Sequence, residues 1–196
     1  MDPSSYNPSA QDDRGFWGSL GAHFIDLFET FVIIGAIFLL FYQFVGQPHR
    51  VSGNSMVPTY LDGDFILTDK LTYRFNHPQR GEVVILKNPR DESIDFIKRV
   101  IALPGDSIQI LGGSVYLNEK LLIEPYLPAD TVTQSGNFLR EGETVTVGSN
   151  QYFVFGDNRA HSSDSREWGP ATKEEIIGRA FLRYFPPQRV RPLVGL

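Results

Sequence analysis

The sequence predicts a mainly β, antiparallel domain preceded by one apolar N-terminal helix that spans a membrane. Three observations carry this. No charged residue lies between Glu29 and His49, a gap of 19 residues, 30 to 48, and a bilayer span needs about 20 predominantly apolar residues. After Gln47 the chain breaks into short runs rich in Val, Ile, Phe, Tyr and Thr, the residues that suit a pleated, half-buried surface. Gly-Asp turn signals close the apolar runs at "LDGDF", "LPGDS" and "VFGDN", and helical periodicity is nearly absent there.

In chain order, residues 1–22 open polar and rich in Pro, Gly and Ser, ending near Trp17; they read as a flexible tail with an interfacial tryptophan. Residues 23–46 read as the transmembrane helix, apolar on all sides rather than along one stripe. A cleaved signal peptide fits poorly, because no basic region precedes the run and no small-x-small site follows it. Arg14 before the span and Arg50 after it leave its orientation undecided. Residues 47–196 read as the β domain, with runs such as "DFILTDKL", "GEVVILKN", "DFIKRVIAL", "SIQIL", "SVYLNEKLL", "ETVTVG" and "QYFVFG" as strands. "LGGSV" reads as a tight hairpin. Only "TKEEIIGRA" has helical character, with Gly178 as a stop.

Composition narrows the function classes. The chain has 196 residues, 41% hydrophobic and 21% charged, with a formal net charge of −5. That gives no basic footprint for nucleic acid. It has no cysteine, so thiol nucleophiles and thiolate metal sites are excluded. Its four histidines (His23, His49, His77, His161) have no metal-motif spacing.

Candidate chemistry sits in three stretches. In the strand "DFIKRVIAL", Phe96, Lys98, Val100 and Ala102 share one face and Ile97, Arg99, Ile101 and Leu103 the other, because side chains alternate. A strand wet on one side would gather its charges there, so one cation is held against apolar surroundings. Arg stays protonated, whereas a desolvated Lys gives up its proton and becomes a base. From this strand alone the bland reading is favoured: a lysine with a packed stem and a wet head. A base needs a proton to take, and Ser55 in "SGNSMVPT" is the candidate nucleophile; the competing reading is a turn serine. A triad of Ser55, His161 and Asp164 is conceivable on residue types alone. The third stretch, "FGDNRAHSSDSREWGP", mixes both signs of charge with three serines. It reads either as a surface loop closed by ion pairs or as a rigid support for a reacting group.

Together these stretches resemble the bacterial type I signal peptidases (leader peptidases) of the single-anchor form. "SGNSMVPT" looks like the nucleophile box, "LDGDFILTDKL" and "RGEVVIL" like the strands after it. "FIKRVIALPGD" looks like the box with the general-base lysine, and "GDNRAHSSDSREWGP" like the final box. The motifs run in the family's order behind a transmembrane helix. The resemblance implies Ser55 as nucleophile, Lys98 rather than Arg99 as general base, Ser162 as the hydroxyl positioning the amine, and Asp164 with Arg166 as a supporting ion pair. It implies that Met56, Phe96 and Ile97 line shallow pockets for small side chains, and that the oxyanion sits against the Ser55 backbone N–H. In many members a second donor is a hydroxyl two residues earlier. Here that position is Gly53, where a backbone N–H could stand in. Ala160 falls where some relatives carry an acidic residue.

The family has a mainly β catalytic fold with an insert between its last boxes, filled here by residues 107–150. By resemblance the enzyme uses no cofactor and cuts exported pre-proteins after Ala-x-Ala-like sites. Its partners are signal-peptide-bearing pre-proteins, the lipid bilayer and the translocation machinery. Its home is the bacterial cytoplasmic or an internal energy-transducing membrane, with the catalytic domain on the extracytoplasmic side. Two rivals are a self-cleaving repressor-type Ser-Lys protease, which the helix argues against, and an inactive membrane-tethered β module that only binds.

Overall fold

The computed structural model describes residues 13–44 and 46–192, and the chain divides into two units at Gln43/Phe44. Helix α1 (Asp13–Phe44), all but its last residue in the first unit, runs for 32 residues, about 48 Å at 1.5 Å per residue. It begins ten residues before the expected start at 23. The Gly- and Ser-rich opening reads as loop by propensity. Once an apolar segment has nucleated the helix, however, each added residue extends it at only about 1 kcal/mol even for Gly. The expected tail over residues 1–12 and the side chain of Trp17 lie outside the described residues. The segment His23–Leu40 is long and apolar enough to cross a membrane, and none of it is buried. Phe31, Val32, Ile33 and Ile34 are all exposed. At 100° per residue these positions point around the whole circumference, as a lipid-facing helix requires.

The second unit is built on antiparallel strands. The larger sheet contains β1 (Gly46–Arg50), β2 (Phe65–Asp69), β3 (Val83–Asn88) and β4 (Asp91–Ala102), together with β9 (Gln151–Phe155), β10 (Ala171–Thr172), β11 (Ile176–Phe185) and β12 (Arg191–Pro192). Its order is β1-β2-β11-β3-β4-β9-β10, with β12 added against β11. β1 has no apolar alternation and contains Pro48. It is an edge strand, the place where a residue without an N–H is tolerated. The smaller sheet, order β7-β6-β5-β8, consists of β5 (Ser107–Leu111), β6 (Ser114–Leu117), β7 (Lys120–Leu121) and β8 (Thr144–Thr146). Gly112 and Gly113 join β5 to β6 with φ of 59° and 78°, the positive values that a tight two-residue hairpin demands. Two one-turn helices, α2 (Thr72–Phe75) and α3 (Ser165–Trp168), complete the unit.

"TKEEIIGRA" is not a helix. Thr172 and Glu175 form a reciprocal cap, but the helical part is the single 3-10 turn Lys173–Glu175. From Ile176 the chain is β11, pairing with β2 on one side and β3 on the other. The cap is a true helix start, and the β-branched pair Ile176–Ile177 then extends into the sheet. Gly178 is not a stop. A side chain there would strike the Asp69 carbonyl and the Thr68 side chain of β2, so glycine permits the close strand approach.

Three buried clusters fill this unit. Ile101, Phe153 and Phe155 of the large sheet pack with Ile108, Ile110, Val115 and Leu117 of the small one. Met56, Tyr60, Ile66, Ile85 and Ile97 form a second cluster. Val84, Leu86, Val100, Tyr152 and Val154 form a third. β4 contributes to all three, so its last six residues, Ile97 to Ala102, are buried on both faces.

Candidate active site

Ser55 lies in the loop between β1 and β2, which the chain ties down at several points. Val51 N–H donates to Asp64 O at 2.8 Å and Gly63 N–H returns to Val51 O at 2.9 Å. Tyr60 N–H donates to Met56 O at 2.9 Å. A second segment clamps the loop from outside. Asn158 donates its backbone N–H to Ser55 O at 2.9 Å and its side-chain amide to Asn54 O at 3.1 Å. The sequence reading passed over Asn158 as a turn residue. Only its "GDN" context after an apolar run marked it.

Lys98 sits in mid-β4, paired with Val84 of β3, and its Nζ donates to Ser55 Oγ at 2.9 Å. The residue is 2% exposed, so the wet-headed lysine favoured by the strand alone does not occur. β4 is covered on both faces, and Nζ meets the Phe96 ring 4.9 Å from its centroid. Burial pushes the Lys98 pKa down to about 8, assisted by Arg166 and opposed by Asp164 and Asp157. Such an amine is neutral for a useful fraction of the time near neutral pH.

Its neighbour Arg99 is buried as well, 5% exposed, but its fate is different. Asp157 takes it in a two-pronged pair, 2.8 Å to Nε and 2.6 Å to Nη2. Gly81 O accepts from Nη1 at 2.8 Å, and the Tyr126 ring stacks 3.9 Å from the guanidinium carbon. Thr59 Oγ1 closes the shell on Asp157 at 2.5 Å. Of the two strand cations, Arg99 is neutralised by a carboxylate and Lys98 faces a hydroxyl.

The remaining sequence-predicted residues divide. Asp164 and Arg166 form a buried two-pronged ion pair, 2.8 Å at each contact. Gly156 N–H also donates to Asp164 Oδ2 at 2.9 Å. With both oxygens held, Asp164 is not placed to orient His161, which is exposed. The Ser55–His161–Asp164 arrangement therefore lacks its second link. Ser162 Oγ is buried and makes no hydrogen bond. It stands beside the Ser55 backbone: a methyl group on Gly156 would collide with both Ser162 Oγ and Ser55 O. Phe96 and Ile97 line a cleft of about 340 Å³ with Ser55, Lys98, Ile66, Ile85 and Ile94. Met56 does not line it. At 1% exposed it packs into the cluster beneath the loop, because the turn closed by its own carbonyl faces the side chain inward. Gly53 adopts φ of +90°, a conformation open to glycine, and its N–H donates to Asp62 Oδ1 at 2.8 Å.

The family model described as "Signal peptidase, peptidase S26" matches residues 24–185. The chain belongs to the signal peptidase S26 family. Membership makes it a peptidase, a hydrolase of the class that removes signal peptides. Among similar proteins, "Probable signal peptidase I-2" of Synechocystis sp. is 37% identical over 85% of this chain and 75% of that protein. "Signal peptidase I U" of Bacillus subtilis is 38% identical over 79% of this chain and 81% of its own length. "Thylakoidal processing peptidase 1, chloroplastic" of Arabidopsis thaliana is 33% identical over 78% of this chain and 46% of its own. A solved signal peptidase I of Enterococcus faecalis V583 aligns with 53% of this chain and 97% of that one, at 26% identity and a TM-score of 0.45.

Proposed function

We propose that the chain is a membrane-anchored endopeptidase that removes signal peptides from exported pre-proteins by acyl transfer to Ser55, with Lys98 as general base. The observation that carries this is the 2.9 Å contact between Lys98 Nζ and Ser55 Oγ, made by an amine whose pKa is pushed down to about 8. When the amine is neutral the hydrogen bond reverses and the hydroxyl donates. Oγ attacks the carbonyl carbon of the residue before the cleavage site, and its proton passes to Nζ. The carbonyl oxygen becomes an oxyanion held by the Ser55 backbone N–H. Collapse breaks the C–N bond, and Nζ returns the proton to the departing amine. The same neutral Nζ then takes a proton from water, whose oxygen attacks the ester and releases the signal peptide as a carboxylate with Ser55 regenerated. The Gly53 N–H is held by Asp62, so a second oxyanion donor in this loop requires that bond to open.

The apolar wall of Ile66, Ile85, Phe96 and Ile97 suits small apolar side chains of an Ala-x-Ala-like site, extended along β3 and β4. In this reading the Asp164–Arg166 pair holds the loop, and Ser162, whose Oγ is unbonded at rest, takes up the amine when Ser55 reacts. In domain terms, α1 is the anchor, residues 47–196 are the catalytic domain, and 107–150 form its small inserted β unit. Ser55 follows the end of α1 by 11 residues, a tether of at most about 40 Å, and a membrane-inserted precursor exposes its cleavage site near the same bilayer. In this reading the membrane is the bacterial cytoplasmic or an internal energy-transducing one, the domain is extracytoplasmic, and the translocation machinery delivers the substrate. The test is cleavage of a pre-protein with an Ala-x-Ala site by the detergent-solubilised full chain, beside Ser55→Ala and Lys98→Ala. Cleavage at that site, lost in both variants, is expected. Near-normal cleavage by Lys98→Ala overturns the dyad.

A further inference from the structure

A second groove lies beside the Ser55 loop. It has a volume of about 380 Å³ and is lined by Val57 and Pro58 just after the nucleophile, by 157–160, and by Pro128 and 130–132 of the inserted unit. The two cavities share no lining residue. The first ends at Ser55 and His161; the second begins at Val57 and Ala160. Ser55 lines the first and is tied to the wall of the second through Asn158. An extended peptide rises about 3.3 Å per residue. A chain with its scissile carbonyl at Ser55 Oγ and its leading part in the apolar cleft therefore reaches Val57–Pro58 within two or three residues beyond the cut.

The charges of this groove are unequal in their commitments. Asp157 is neutralised by Arg99, and Arg159 by Glu124. Asp130 is exposed and, among the described residues, forms neither a hydrogen bond nor an ion pair. It is the one uncommitted charge on the lining. Ala160, on the same lining, adds only a methyl group.

We propose that this groove is the binding site for the first residues of the released chain, and that Asp130 sets a preference there for basic over acidic side chains at the second or third position after the cut. The inference rests on the peptidase reading above. Leading and trailing segments of one substrate are then recognised by different chemistry: small apolar side chains against the sheet before the cut, charge against the inserted unit after it. The inserted unit thereby acquires a role in choosing substrates.

The experiment compares kcat/KM for matched pre-proteins carrying Lys or Glu at the second or third position after the cut, using the full chain in detergent at low salt. An exposed carboxylate attracting one charge and repelling the other contributes a total selectivity on the order of fivefold, screened as salt rises. Asp130→Asn is expected to bring the Lys:Glu ratio to about 1, and Asp130→Lys to invert it. The ratio is normalised within each variant, so lower yield of active protein does not alter it. A ratio unchanged by both substitutions overturns the groove assignment. A parallel substrate with the same leading part, ending in a small ester leaving group, isolates the underlying reading. If the intact chain hydrolyses neither substrate, the peptidase reading itself fails.

Discussion

Replacing Lys98 by Met separates what the buried amine does for catalysis from what it costs the fold. Met matches Lys in length and flexibility but carries no charge. Burial lowers the Lys98 pKa from 10.5 to about 8, a difference worth about 3 kcal/mol at 1.36 kcal/mol per unit. The sign follows from proton counting. The folded value lies below the unfolded one, so between about pH 8 and 10.5 the unfolded chain holds a proton that the folded chain has released. Stability therefore rises with pH through that window, and below about pH 8 the full penalty is present. Lys98→Met escapes the penalty and forfeits one hydrogen bond to a half-buried serine, about 1 kcal/mol. The variant is expected to be inactive and about 2 kcal/mol more stable than the parent at pH 7, with the advantage gone by pH 10. Denaturant unfolding of the detergent-solubilised chain measures this, with Trp17 replaced so that Trp168 fluorescence reports the β unit. Parent kcat/KM should rise about tenfold between pH 7 and 9 as the amine becomes neutral. A stability gap that is the same at pH 7 and pH 10, or a variant less stable than the parent at pH 7, refutes the desolvation argument.

Three further outcomes follow from the same site. Ser162→Ala should lower kcat about tenfold or more and displace the pH–rate midpoint while leaving the unfolding midpoint unchanged or slightly raised, because the lost hydroxyl is buried without a partner; a lowered midpoint with unaltered kcat contradicts the positioning role. Gly156→Ala forces a methyl into Ser162 Oγ and Ser55 O and should cost about 1–3 kcal/mol together with most of the activity, read by thermal melting and turnover. Asp157→Ala strands the buried Arg99 guanidinium and should cost about 3–5 kcal/mol, whereas Arg99→Met with Asp157→Leu should recover part of that loss in a urea titration.

Local sequence was sufficient for everything that depends on local pattern. A 19-residue uncharged run makes a helix with no polar face. Runs of β-branched and aromatic residues between glycine turns make strands, and a Gly-Gly pair makes the β5–β6 turn because positive φ is needed at both positions. The motif order picked out Ser55 and Lys98. Local pattern misread "TKEEIIGRA", where a correct cap is followed by residues that the neighbouring strands recruit into β11.

Only the tertiary structure decided the electrostatics. Alternation along "DFIKRVIAL" assigns Lys98 and Arg99 to opposite faces but says nothing about what covers either face. The register of β4 against β9, with Arg99 opposite Phe155, brings Asp157 to the guanidinium across a separation of 58 residues. The loop after β1 brings Ser55 to Nζ across 43. Those closures determine which cation is neutralised by a carboxylate and which is left as a desolvated amine. Met56 likewise sits beside Ser55 in sequence yet packs beneath it, because the turn that presents Ser55 to the cleft directs the next side chain into the core. Desolvation depends on every atom packed around a group, and those atoms come from distant parts of the chain.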